Sequence, residues 1–76
     1  MTKEKKTDIL TGRIVQRIID IAASRSGASD ISVVHGVSNE HDIGQLLDNL
    51  FRLFSDSTIS LKRLAFGYEL NIKVKF

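Results

Sequence analysis

Cysteine is absent from this sequence. Its absence excludes disulfides and every thiolate metal site, and it suits a reducing, cytoplasmic setting. No run approaches the roughly 18 apolar residues that a membrane span requires, so no membrane association is expected. The polar start Met1-Thr2-Lys3-Glu4-Lys5-Lys6-Thr7 leads into an amphipathic segment, which predicts no secretory signal, and it lacks the glycine that myristoylation needs. Repeats and low-complexity tracts are missing too. Neither charge dominates: 11 Lys+Arg stand against 9 Asp+Glu, a net charge of +2. The distribution is uneven, with six basic and three acidic residues in 1–26, one and five in 27–58, and four and one in 59–76. Two basic ends flank an acidic middle. That excludes a polycation built to coat nucleic acid and leaves room for a local basic face.

What remains is an ordinary globular mixture, 42% hydrophobic and 26% charged over 76 residues. Such a length allows one domain, and a chain so short buries only about 60% of the surface its unfolded form exposes. With no disulfide to add stability, self-association is the expected supplement to the core. Residues 1–7 read as a flexible basic arm and 8–76 as the domain. From Leu10 to Arg25, Leu10, Ile14, Val15, Ile18, Ile19, Ile21 and Ala22 fill one arc of about 180° on a helical wheel. Thr7 or Asp8 is placed to cap that helix, and Gly27 to end it in a left-handed conformation. Ser26-Gly27-Ala28-Ser29-Asp30 is a turn signal. Ile31-Ser32-Val33-Val34-His35 reads as a strand ended by Gly36.

Ser38 or Asn39 is expected to cap a second helix, with Glu40 and Asp42 in its first turn. Its apolar positions Ile43, Leu46, Leu47, Leu50, Phe51, Leu53 and Phe54 span about 160°. Gln45, Asp48, Asn49 and Arg52 belong to its wet face. Tyr68, Leu70, Ile72, Val74 and Phe76 alternate with Glu69, Asn71, Lys73 and Lys75, the period of a half-buried strand whose aromatics face the core. Residues 59–66 fit either the first arm of a hairpin turning near Gly67 or a short helix. The hairpin is favoured, because a lone last strand needs a neighbour for its backbone groups. The expected fold is therefore α+β, in the order α-β-α-β-β, with two helices on a three-stranded, mostly antiparallel sheet.

Chemistry-bearing constellations are few. His35 and His41, six apart, with Asp30, Glu40 and Asp42 near, match no metal-ligand spacing, so no metal and no cofactor are expected. Asp30, Ser32 and His35 have the residue types of a nucleophile relay, but on one strand His35 points away from the other two. No catalytic residue is assigned and no enzyme is expected. Gly36-Val37-Ser38 resembles the turn of phage-repressor-type helix-turn-helix proteins, and the segment from Ser60 to Leu70 is similar to the tail of some antitoxins in that group. The resemblance would make 40–56 a recognition helix. Asp42 stands there where an apolar residue belongs, and Arg52 against Glu40, Asp42, Asp48 and Asp56 gives a charge that phosphates repel. The family is not assigned.

Two surfaces carry the functional expectation. Val15, Ile19, Phe51 and Leu53 sit at the edges of the apolar arcs and are the candidates for a protein interface. They imply a small binding or regulatory module, an adaptor or inhibitor, that acts by protein–protein contact as a homodimer or with a foreign protein. The alternative is a nucleic-acid-binding regulator using a basic hairpin face of Lys73, Lys75 and one of Lys62 or Arg63.

Overall fold

The computed structural model describes residues 2–25, 27 and 29–75. The elements are α1 (Lys3–Ser24), β1 (Asp30–Ser38), α2 (Ile43–Leu53), β2 (Thr58–Leu64) and β3 (Gly67–Lys75). The fold is α+β, with two helices and a three-stranded antiparallel sheet in the order α-β-α-β-β. The first arm of the hairpin is a strand, as its need for a neighbour required.

α1 begins earlier than its apolar pattern suggests. The Thr2 hydroxyl accepts from the Lys5 N–H and caps the helix, and Glu4 lies in the first turn where the dipole favours a carboxylate. Residues 3–7 are therefore helical and do not form an arm. The reason is Thr7, which is fully buried and donates its hydroxyl to the Lys3 carbonyl at 2.8 Å. Thr7, Leu10, Thr11, Ile14 and Ile18 recur at helical spacing and make the buried stripe. The helix ends at Ser24 with Arg25 as its cap, and Gly27 follows with φ +87°, the left-handed geometry anticipated for it. The flanking Ser26 and Ala28 lie outside the described residues.

β1 runs on through Gly36 to Ser38, so Gly36-Val37-Ser38 is strand and not the turn of a helix-turn-helix. α2 starts later than expected: its cap is Asp42, whose carboxylate accepts from the Gln45 N–H at 3.2 Å. Glu40 precedes the helix, and no acid occupies its first turn. β1 and β2 both run antiparallel to β3, which lies between them, so they point the same way and α2 is the crossover that joins them.

Ile31, Val33 and Val37 of β1 and Leu70, Ile72 and Val74 of β3 turn one face of the sheet toward Leu10, Ile14, Ile18, Leu46 and Leu50. Tyr68 and Ile59 complete this face, half-buried; Phe76 lies outside the described residues. The opposite face carries Ser32, Val34, Lys62, Asn71, Lys73 and Lys75, all exposed. No helix covers it among the described residues. Gly67 is the most closely approached of the glycines: its φ is +145°, and a Cβ there would come 2.1 Å from the Val37 carbonyl oxygen.

The helices lie side by side and run in the same direction, joined by a polar seam. Gln45 Nε2 donates to the Asp8 carboxylate (2.9 Å) and the Glu4 carbonyl (3.2 Å). Asn49 Nδ2 donates to Asp8 (3.1 Å) and to Thr11 Oγ1 (3.2 Å). The Asp42 N–H donates to Thr7 Oγ1 at 2.9 Å, which fixes the start of α2 against α1. Gln45 and Asn49 thus leave the wet face assigned to them. Their amides bond instead to the exposed Asp8 carboxylate, the Glu4 carbonyl and the buried Thr11 hydroxyl.

Candidate functional site

The sheet has two free edges, and they differ. On the β1 side, Arg17 Nη1 donates to the Val34 carbonyl at 2.8 Å and stands 3.4 Å from His35 Nδ1. That bond shows the Val34 carbonyl turned away from β3. Antiparallel ladders alternate, so Asn71, which pairs with Val34, turns its backbone groups toward β2 and bonds Ser60. Ile59, Leu61 and Arg63 then direct their N–H and C=O groups outward from β2. No side chain of the described residues caps them.

The same edge is poorly covered on the helix side. Six of the seven residues of β2 are exposed, and Leu61, which faces inward opposite Leu70, keeps 40% of its surface. Phe51 keeps 44%. On a helical wheel it stands about 200° from Asn49, the residue that faces α1, and therefore on the flank of α2 above β2. Since α1 packs on β1, Phe51 and Leu61 lie on the same, β2, side of the domain.

The structure does not bring the four interface candidates into one patch. Val15 is half-buried and packs against the core. The offset of 38 residues between Thr11 and Asn49, carried one turn further, sets Leu53 beside Val15, with Ile19 a turn beyond. Ile19 (51% exposed) and Leu53 (58%) thus belong to the α1–α2 side, opposite Phe51. Of the four basic candidates, Lys62, Lys73 and Lys75 share the open face of the sheet. Arg63 pairs with Tyr68 and points to the other face. Lys62 lies opposite Glu69, and Lys73 Nζ is 3.4 Å from the Asp30 carboxylate, so three lysines on that face meet two carboxylates.

A second group of basic residues, Lys6, Arg13 and Arg17, lies along the α1 flank that faces β1. Lys6 and Arg13 line a cleft of about 320 Å³ with Ile9, Leu10, Glu40 and His41. Lys6 Nζ is 3.9 Å from the Glu40 carboxylate. His41 Nδ1 is buried with no hydrogen-bond partner. One turn along, burial first and then the Arg17 and Arg13 guanidinium groups hold the His35 imidazole below its ordinary value of 6.5. From sequence, Lys3, Lys5, Lys6, Arg13 and Arg17 could only be offered as an extension of the basic hairpin face; the structure instead sets Lys6 and Arg13 beside His41, on the helix side of the sheet. His35 and His41 are not joined by a third ligand: among the described residues no group of three His, Cys, Asp or Glu could hold a metal ion.

The chain matches no protein-family model, no curated protein and no solved structure. No helix among the described residues is long and apolar enough to cross a membrane.

Proposed function

We propose that the protein is a non-enzymatic interaction module of the cytoplasm that acts through protein–protein contact and pairs with a second copy of itself along β2. The observation that carries this reading is the asymmetry of the two sheet edges: Arg17 caps β1, while β2 is bare, with exposed Leu61 and Phe51 on its side of the domain. An uncapped strand edge is a template for another strand. A second copy satisfies it when two β2 strands run antiparallel about a two-fold axis at Leu61. Leu61 then meets Leu61 of the other copy, Arg63 meets Ile59, and Lys62 meets Ser60, so no two cations are directly opposed. The central pairs supply about six backbone hydrogen bonds at roughly 0.5–1.5 kcal/mol each, together with the apolar contact of Leu61 and Phe51. Against the cost of association, this supports a dissociation constant on the order of 1–100 μM.

Sedimentation over a concentration series tests it. Leu61→Pro removes an N–H that makes no bond within the monomer, since proline is tolerated on an edge strand, and it should leave a folded monomer. Phe51→Asp should do the same, with circular dichroism showing the fold intact. Ile19→Asp and Leu53→Asp should leave the dimer unchanged. A wild-type monomer at about 1 mM, or a dimer broken by Ile19→Asp and Leu53→Asp but not by Leu61→Pro, overturns the reading.

The open sheet face gives a second reading, nucleic-acid binding through Lys62, Lys73 and Lys75, favoured by the face those three share. Their two opposing carboxylates cut its charge to +1. Binding to DNA that weakens steeply with salt and vanishes on charge reversal at Lys73 and Lys75 would support it.

A further inference from the structure

We propose that the cleft between α1 and the loop from β1 to α2 binds a small organic anion, a carboxylate or phosphate group attached to an apolar body. Arg13 is the central residue. Its guanidinium makes no hydrogen bond or ion pair with any described residue, yet it opens into a cleft of about 320 Å³. That volume is at the lower end of small-molecule sites. Lys6 stands on the same flank of α1, two turns earlier. The long 3.9 Å contact from Lys6 to Glu40 leaves its ammonium with donors to spare. Asp20 lies on this flank too, but a turn beyond Arg17 and outside the cleft, where its carboxylate accepts from Gln16 at 2.9 Å.

Two features define the ligand. A planar guanidinium offers paired donors that match the two oxygens of a carboxylate or phosphate. Ile9, 44% exposed, and Leu10 form the apolar wall beside those cations, and neither has any use for a free inorganic ion. His41 closes the cleft with a ring whose Nδ1 lacks a partner. An anion seated at Arg13 also changes the field at His35, whose charged form the Arg13 and Arg17 guanidinium groups oppose. The inference does not depend on self-association, since the β2 edge lies across the domain.

Phenyl phosphate, benzoate and inorganic phosphate are the probes, titrated into the full chain while its amide and imidazole NMR signals are followed. Saturable shifts at Lys6, Ile9, Arg13 and His41 are expected, with phenyl phosphate and benzoate bound about tenfold tighter than inorganic phosphate. His35 should titrate at higher pH when the site is filled. Arg13→Gln should weaken binding about tenfold, and Glu40→Gln should strengthen it severalfold by removing the one carboxylate in the cleft. Both residues are exposed, so urea denaturation should show each variant as stable as the wild type. Shifts spread evenly over all lysines, an unchanged affinity in Arg13→Gln, or a fixed His35 titration would each overturn the proposal. Tighter binding of an oligothymidylate at these same residues would also overturn it, and would assign the flank to a nucleic-acid backbone.

Discussion

Replacing Gly67 by alanine should cost this fold more than the same change at any of the other glycines. The residue opens β3 immediately after the two-residue loop Ala65-Phe66, and its φ of +145° lies where L side chains are rarely found. Holding alanine in such a conformation costs about 1–3 kcal/mol. The added Cβ would also stand 2.1 Å from the Val37 carbonyl oxygen and 3.1 Å from the Ser38 Cα, both backbone atoms of β1. No rotamer change relieves that, so the ends of β1 and β3 must part. The pairs Ser38 with Gly67 and Val37 with Tyr68 are then lost, on the order of two hydrogen bonds at about 0.5–1.5 kcal/mol each. The sum, roughly 2–6 kcal/mol, is to be set against a total stability of about 4–11 kcal/mol for a domain of this size. Urea unfolding followed by circular dichroism measures it. With a slope of about 1 kcal/mol/M the midpoint should fall by about 2 M or more. Gly36→Ala is the control, because a Cβ there meets nothing within 4 Å. Equal midpoints for Gly67→Ala and Gly36→Ala would refute the claimed approach of the two strands.

Other substitutions test other parts of the argument. Gly12→Ala, in the middle of α1 with open space around its Cβ, should raise stability by about 0.5–1 kcal/mol in the same urea assay; a loss would mean that α1 is not helical there. Thr7→Val keeps the shape of the side chain but leaves the Asp42 N–H without its partner, and should cost about 1–2 kcal/mol. An unchanged midpoint would show that the link from α1 to the start of α2 is dispensable. Because folding lowers the His35 pKa, the unfolded chain binds more protons just below its ordinary value of 6.5. Stability should therefore rise with pH through that window and be lost as pH falls below it, and His35→Asn should flatten this part of the profile. A wild-type profile that slopes the other way would contradict the burial of the ring.

The alternation from Tyr68 to Val74 and the apolar arc from Ile43 to Phe54 carried most of the fold, because each has one solution that buries its greasy side. The ends of the elements were harder to read. Thr7 and Thr11 look polar in sequence, yet both are buried, each donating its hydroxyl to a carbonyl four residues earlier in α1. A wheel of apolar positions therefore starts α1 too late. Gln45 and Asn49 misled for the same reason: their amides are satisfied by Asp8 and Thr11, some forty residues away, which no local pattern reveals. The candidate surfaces were legible only in part. Lys62, Lys73 and Lys75 do share a face, since strand parity follows from sequence once the hairpin is drawn. Strand order does not. Without the order β1-β3-β2, neither the open β2 edge nor the apposition of Lys6 and Arg13 to His41 could be seen.

A final prediction follows from treating Arg17 as the guard of β1. Its guanidinium occupies the Val34 carbonyl, the group that an added strand would need, and it places a fixed charge at the edge. If β2 self-pairs and β1 is held closed, assembly stops at two copies. Arg17→Ala opens the second edge, so each dimer then presents two free β1 strands. Pairing through both edges has no built-in end, and the expected product is a concentration-dependent series of oligomers larger than the dimer. Adding Leu61→Pro to Arg17→Ala blocks β2 again and should return the assembly to dimers, now joined through β1. Light scattering after size-exclusion chromatography distinguishes these states. An Arg17→Ala protein that remains dimeric at every concentration would show that α1 itself, and not the arginine, shields that edge.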